Sequence, residues 1–127
     1  LELRSIEKAI VEKAKSWIEE YGENFLVELV ELYLEDTPKR LLELRRALDT
    51  GDTPTLTREA HTIKSTSANL GAMKMSGFAK ELEIAGRAGE MRQMAEQVAR
   101  TEAEFELVKI ALAALRSAPK EFASQEL

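Results

Sequence analysis

His61 is the only histidine in the chain, and Lys64 follows it at the spacing of one helical turn. An imidazole beside an ammonium pairs a nucleophile with a cation, a combination suited to accepting an anionic group such as a phosphoryl. Near physiological pH imidazole offers an uncharged ring with one nitrogen lone pair free for attack. A lone exposed histidine is by itself an ordinary surface residue, so its setting carries the argument. Small side chains one and two turns further on, Ser65 and Ala68, leave room for another molecule to approach, and Arg58 and Lys64 make the patch mildly basic. Arg58, Ser65 and Ala68 are therefore the expected docking positions.

The element that must carry His61 is legible from spacing. Leu56, Ala60, Ile63, Ser67 and Leu70 recur at steps of four, three, four and three, the period of a half-buried helix. His61 lies off that stripe, roughly 130° from its middle at about 100° per residue, and should face solvent or a partner. The run Thr50-Gly51-Asp52-Thr53-Pro54 starts this helix, with Gly51 closing the preceding one, Thr53 as cap and Pro54 in the first turn. Gly71 ends it and is assigned a structural role.

Four further helices are expected. Ile6, Ile10, Ala14, Trp17 and Tyr21 mark the first, closed by Gly22. Asn24 is the expected cap of the second, whose buried positions read Leu26, Val30, Tyr33, Thr37, Leu41, Leu44 and Leu48. The apolar phase passes through Pro38, predicting one long helix kinked there; a break at Thr37 is the alternative. Phe25, Leu32 and Leu42 lie off that stripe, which predicts contact with the first helix, partner docking being the other reading. Met75, Phe78, Leu82 and Ala85 mark a helix antiparallel to the His61 helix, its end weakened by Gly86 and Gly89. Met91, Met94, Val98, Thr101, Phe105, Val108, Leu112 and Leu115 mark the last, which Pro119 ends before a frayed tail. Met73, Met75, Met91 and Met94 are assigned to core packing rather than to a thioether metal site. No segment alternates like a strand. The expected fold is all-α, an antiparallel four-helix bundle with an additional N-terminal capping helix.

Composition narrows the function classes. A chain of 127 residues with 44% apolar and 32% charged content suits one domain, here 1–127 with a helical core of about 5–116 and a tail at 117–127. It has no cysteine, which excludes disulfides, thiol chemistry and a cysteine-based zinc site and suits a reducing compartment; a cytoplasmic location is expected. A net charge of −5 argues against nucleic-acid binding. Apolar runs are too short to span a bilayer, and Leu1-Glu2-Leu3-Arg4-Ser5 lacks a signal-peptide layout, so no direct membrane contact is expected. The first residue is not methionine, which fits a processed chain or a domain of a larger protein.

Ala60-His61-x-x-Lys64-Ser65 followed by Gly71-Ala72 resembles the histidine-containing phosphotransfer (HPt) domains of multistep two-component signalling. The likeness extends back through Leu41-x-x-Leu44-x-x-Ala47-Leu48, Asp52, Tyr33 to Pro38 and Gly22-x-x-Phe25, and forward through Ala79-x-x-Leu82-Glu83-x-x-Gly86-Arg87. Ser65 departs from the glycine many members carry beside the lysine. The resemblance implies that His61 accepts a phosphoryl group from a receiver-domain phospho-aspartate and passes it to another receiver, with Nε2 attacking. The residues alone leave the tautomer open.

Phosphoryl transfer demands alignment and charge neutralisation more than a catalytic cluster, and Lys64 is the expected neutralising group. No cofactor is expected on this chain; carboxylates at metal-ligand spacing are lacking near His61, so Mg²⁺ should arrive with the receiver. Expected partners are receiver domains of response regulators or hybrid histidine kinases, met by a monomer. With no glycine-rich phosphate loop, autonomous kinase activity is not expected. Two alternatives stand beside the relay carrier: the phosphoryl-accepting module of a larger histidine kinase, and a helical docking scaffold that transfers nothing.

Overall fold

The apolar periodicities become six helices: α1 (Glu2–Tyr21), α2 (Glu23–Thr50), α3 (Thr53–Asn69), α4 (Met73–Ala88), α5 (Met91–Ser117) and α6 (Pro119–Ala123). The computed structural model describes the backbone of residues 2–126 and the side chains of residues 6–126. Leu1 and Leu127, the ends of the expected domain, lie outside the described residues, as do the side chains of the N-terminal stretch 1–5. No strand occurs among the described residues.

Helices α2 to α5 close an antiparallel four-helix bundle in which α2 and α4 each pack against both α3 and α5. The stripe of α2 is buried as expected at Leu26, Val30, Tyr33, Thr37, Leu41, Leu44 and Leu48, and it runs through Pro38 without the break at Thr37. It shares one buried core with Leu56 and Ile63 of α3, Met75 and Leu82 of α4, and Met94, Val98, Leu112 and Leu115 of α5. Each such side chain contributes about 1.5–3 kcal/mol on burial. Helix α1 covers the end where α2 and α4 begin and α3 and α5 finish. Trp17 Nε1 there donates to the Asn69 carbonyl at the C-terminus of α3, 2.7 Å away, satisfying one of the acceptors a helix end leaves open.

Several local expectations need correction. Asp52, not Thr53, caps α3: its carboxylate accepts from the Thr55 amide at 3.2 Å, and Thr53 is the first helical residue. Asn24 lies inside α2, which starts at Glu23 directly after Gly22, so it does not cap. Tyr21 is exposed rather than buried, stacked with Trp17 and Phe25 in a three-ring cluster. Of the off-stripe residues Phe25 meets α1 through those rings, whereas Leu32 and Leu42 face solvent. Met73 and Met91 are exposed at the first turns of α4 and α5, leaving Met75 and Met94 as the core methionines. Phe78 is only half-buried; Ala79 takes the core position beside it. The tail is not frayed at Pro119, which instead opens α6; Phe122 and Ala123 are buried where α6 packs on α1, α2 and α5. A proline ends one helix and starts the next because its ring fits a first turn.

Gly71 follows Leu70, the residue that caps the C-terminus of α3. It sits at φ +83° in the α3–α4 turn, and a Cβ there would lie 2.6 Å from the Ala9 carbonyl oxygen of α1. Only glycine combines that backbone conformation with so close an approach.

Candidate functional site

Burial of Leu56, Ala60 and Ile63 sets the rotation of α3, and His61 is turned outward with 58% of its side chain exposed. The ring is not free to swing. Its Nδ1 lies 3.0 Å from Oε2 of Glu83, a carboxylate on the buried face of α4 that is only 4% exposed. Lys64 Nζ donates to the other oxygen, Oε1, at 2.9 Å, and Arg87 pairs with Oε2 at 2.6 Å from the next turn of α4. One carboxylate thus gathers the imidazole and two cations.

The charge state of Glu83 follows from competing effects. Burial pushes its carboxyl pKa up, but hydrogen bonds from Lys64 and His61 and the charges of Lys64 and Arg87 outweigh that and hold it below the usual range. An ionised carboxylate only accepts, so the Glu83 contact assigns a proton to His61 Nδ1. In the neutral ring Nε2 then carries the lone pair and points away from Glu83, a tautomer fixed by a partner in the manner of a base and its orienting group.

A hollow of about 520 Å³ opens beside the ring, with Pro54, Arg58, His61, Gly86 and Arg87 among its walls. Arg58 and Arg87 are exposed there, whereas Lys64 is turned to Glu83 and does not line the hollow. Ser65 is exposed one turn past His61, its hydroxyl donating to the His61 carbonyl at 3.3 Å. Ala68 is half-buried a further turn on and, like Gly71, lies away from the hollow. Among the described residues, no group of three or more His, Cys, Asp or Glu side chains is placed to hold a metal ion. No helix among them is long and apolar enough to cross a membrane.

Sequence reasoning did not assign roles to Glu83 and Arg87. The available signal was a carboxylate on an apolar stripe: Ala79, Leu82, Glu83 and Gly86 share the buried face of α4. Arg87 follows Glu83 at the i,i+4 spacing a helix makes readable, but the α3 partners His61 and Lys64 are 22 and 19 residues away, beyond any helical spacing.

Comparison with known proteins follows the same lines. Residues 28–118 match the family model described as Hpt domain. The crystal structure of histidine-containing phosphotransfer protein B (HptB) from Pseudomonas aeruginosa PAO1 is similar to this chain with a TM-score of 0.78 and 32% identity, covering 84% of this chain and 91% of that one. No curated protein matches the sequence. Sequence pattern and backbone thus agree, and the chain belongs to the Hpt domain family.

Proposed function

We propose that this chain is a phosphorelay carrier that takes a phosphoryl group onto His61 Nε2 from a receiver phospho-aspartate and delivers it to the aspartate of another receiver. The observation that carries this reading is the His61 Nδ1–Glu83 contact, which leaves the second ring nitrogen outward. In the forward step the aspartyl P–O bond breaks as a P–N bond forms, and the receiver carboxylate leaves with its electron pair. The ring gains positive charge as nitrogen shares its lone pair, and ionised Glu83 across Nδ1–H offsets that charge. Lys64 and Arg87 flank the phosphoryl oxygens while holding Glu83. Transfer to the second receiver is the same step reversed.

Mg²⁺ belongs to the receiver in this reading, because Glu83 is already shared by three donors and offers no open anionic set. Arg58 and Ser65, on the exposed face around the ring, meet the incoming receiver; Ala68 borders that surface. The carrier acts as a monomer, so that the His61 face stays open, and works in the cytoplasm.

Incubation with a receiver labelled on its aspartyl phosphate tests the proposal. Label should move to the wild type and not to His61→Gln; equal labelling of both overturns it. Labelling only by a nucleotide-binding kinase domain, never by a receiver, selects the kinase-module alternative. A His61→Gln protein that retains every measured activity selects the docking scaffold.

A further inference from the structure

The reach of Glu83 to His61 depends on how closely α4 lies against α3, and one contact limits that distance. Gly86 is buried in the last turn of α4, and a Cβ built on it would fall within clashing distance of Thr57 Oγ1 and 3.1 Å from Leu56 Cδ2. Thr57 cannot swing away without loss, because its hydroxyl donates to the Thr53 carbonyl at 2.8 Å. Thr57 lies one turn before His61 on α3, and Gly86 one turn after Glu83 on antiparallel α4, so the glycine contact is the layer next to the His61–Glu83 pair. On the other side of that pair Ser76 of α4 donates to the Lys64 carbonyl of α3 at 2.8 Å. The two helices are held together on both sides of the site. Helix geometry does not require a glycine here, since Gly86 has no positive φ and an alanine would suit the helix better.

We propose that Gly86 is a positioning residue for phosphoryl transfer: its missing side chain lets α4 approach Thr57 closely enough for Glu83 to hold the Nδ1 proton of His61 and keep Nε2 free. The proposal rests on the relay reading for its functional consequence, but its structural content is read independently. With a single histidine in the chain, ¹⁵N spectra of the ring nitrogens report this one tautomer without overlap.

The test compares Gly86→Ala, Gly86→Ala/Thr57→Ala and Gly77→Ala with the wild type, reading the His61 ring-nitrogen shifts, the labelling rate from a phosphorylated receiver and the far-UV circular dichroism. Wild type should show the proton on Nδ1. Gly86→Ala should show a mixture of tautomers and label at least tenfold more slowly while remaining helical. Removing the facing hydroxyl in the double variant should return the wild-type tautomer and most of the rate. Gly77→Ala, on the open side of α4 with nothing within 4 Å of the added methyl, should change neither. A folded Gly86→Ala that keeps the Nδ1 tautomer overturns the proposal. If Gly86→Ala fails to fold, the double variant decides: wild-type tautomer and rate uphold the spacing role, and an unfolded or still slow double variant overturns it. A wild type that takes no label defeats the relay reading, while the ring spectra still decide Gly86.

Discussion

Glu83 is the residue on which the charges around His61 converge. Removing its charge strands Lys64, Arg87 and the ring together. Glu83→Gln keeps the shape but loses the anion that offsets the phosphorylated ring; at roughly 1.5–3 kcal/mol for a charge-assisted hydrogen bond, labelling should slow about 10- to 100-fold. Stopped-time autoradiography against a phosphorylated receiver checks this, and a rate unchanged within twofold refutes it. Lys64→Ala should cost less, about 1 kcal/mol or fivefold, because its side chain is 31% exposed and solvent screens it. Glu83 also ties stability to pH. Its carboxyl pKa is lowered in the fold from an ordinary 4.5, so the stabilisation is complete above that value and is lost as pH falls through the lower folded value. The acid-side fall in Tm should therefore be shallower in Glu83→Gln than in the wild type, a difference thermal melts between pH 6 and about pH 3 detect.

At the scale of helices, the site stands on contacts that α1 and α4 make with α3. Gly71→Ala forces a methyl into the backbone of α1 at positive φ, and the combined strain and overpacking should cost about 2–4 kcal/mol in urea unfolding. Gly77→Ala should instead stabilise by about 0.5–1 kcal/mol, since Gly77 is exposed within α4 and pays only the entropy of a helical glycine. The same measurement separates them by sign. Element boundaries illustrate what spacing conveys: α3 was legible because its apolar period and the Gly51 and Gly71 stops agree. Its cap shifted from Thr53 to Asp52 because either side chain satisfies the composition of a cap, and only the backbone path decides which oxygen reaches the Thr55 amide. Pro119 signals both a stop and a start, and burial of Phe122 where α6 packs on α1, α2 and α5 selects the start.

The whole bundle is pinned by a polar contact inside its core. The Tyr33 hydroxyl of α2 lies 2.8 Å from Ser67 Oγ of α3 and donates to Met75 Sδ of α4 at 3.2 Å, joining three helices. Burial pushes the Tyr33 pKa up to about 12, more than its hydrogen bonds with Ser67 and Thr37 pull it down. Its neutral form stabilises the fold fully below the ordinary value of 10, and that contribution fades as pH rises from there toward 12. Tyr33→Phe strands the Ser67 hydroxyl, which is fully buried, and should cost about 1–3 kcal/mol while leaving the exposed His61 surface in place. Chemical denaturation should register the loss, and the labelling rate of the folded variant should stay within twofold of wild type.

Sequence by itself determined the five long helices, their order, the bundle and the outward direction of His61, because periodicity within one helix already separates a buried face from a wet one; the short α6 was outside its reach. It also placed Lys64 beside the ring, one turn along the same helix. Tertiary structure alone decided the tautomer, since the proton on Nδ1 depends on a carboxylate from another helix. Glu83 reads in sequence as an acidic residue on an apolar stripe, and becomes the orienting partner only where α4 crosses α3 with Gly86 against Thr57. Contacts between residues far apart in the chain leave no period to read, and the chemistry of this site depends on one of them.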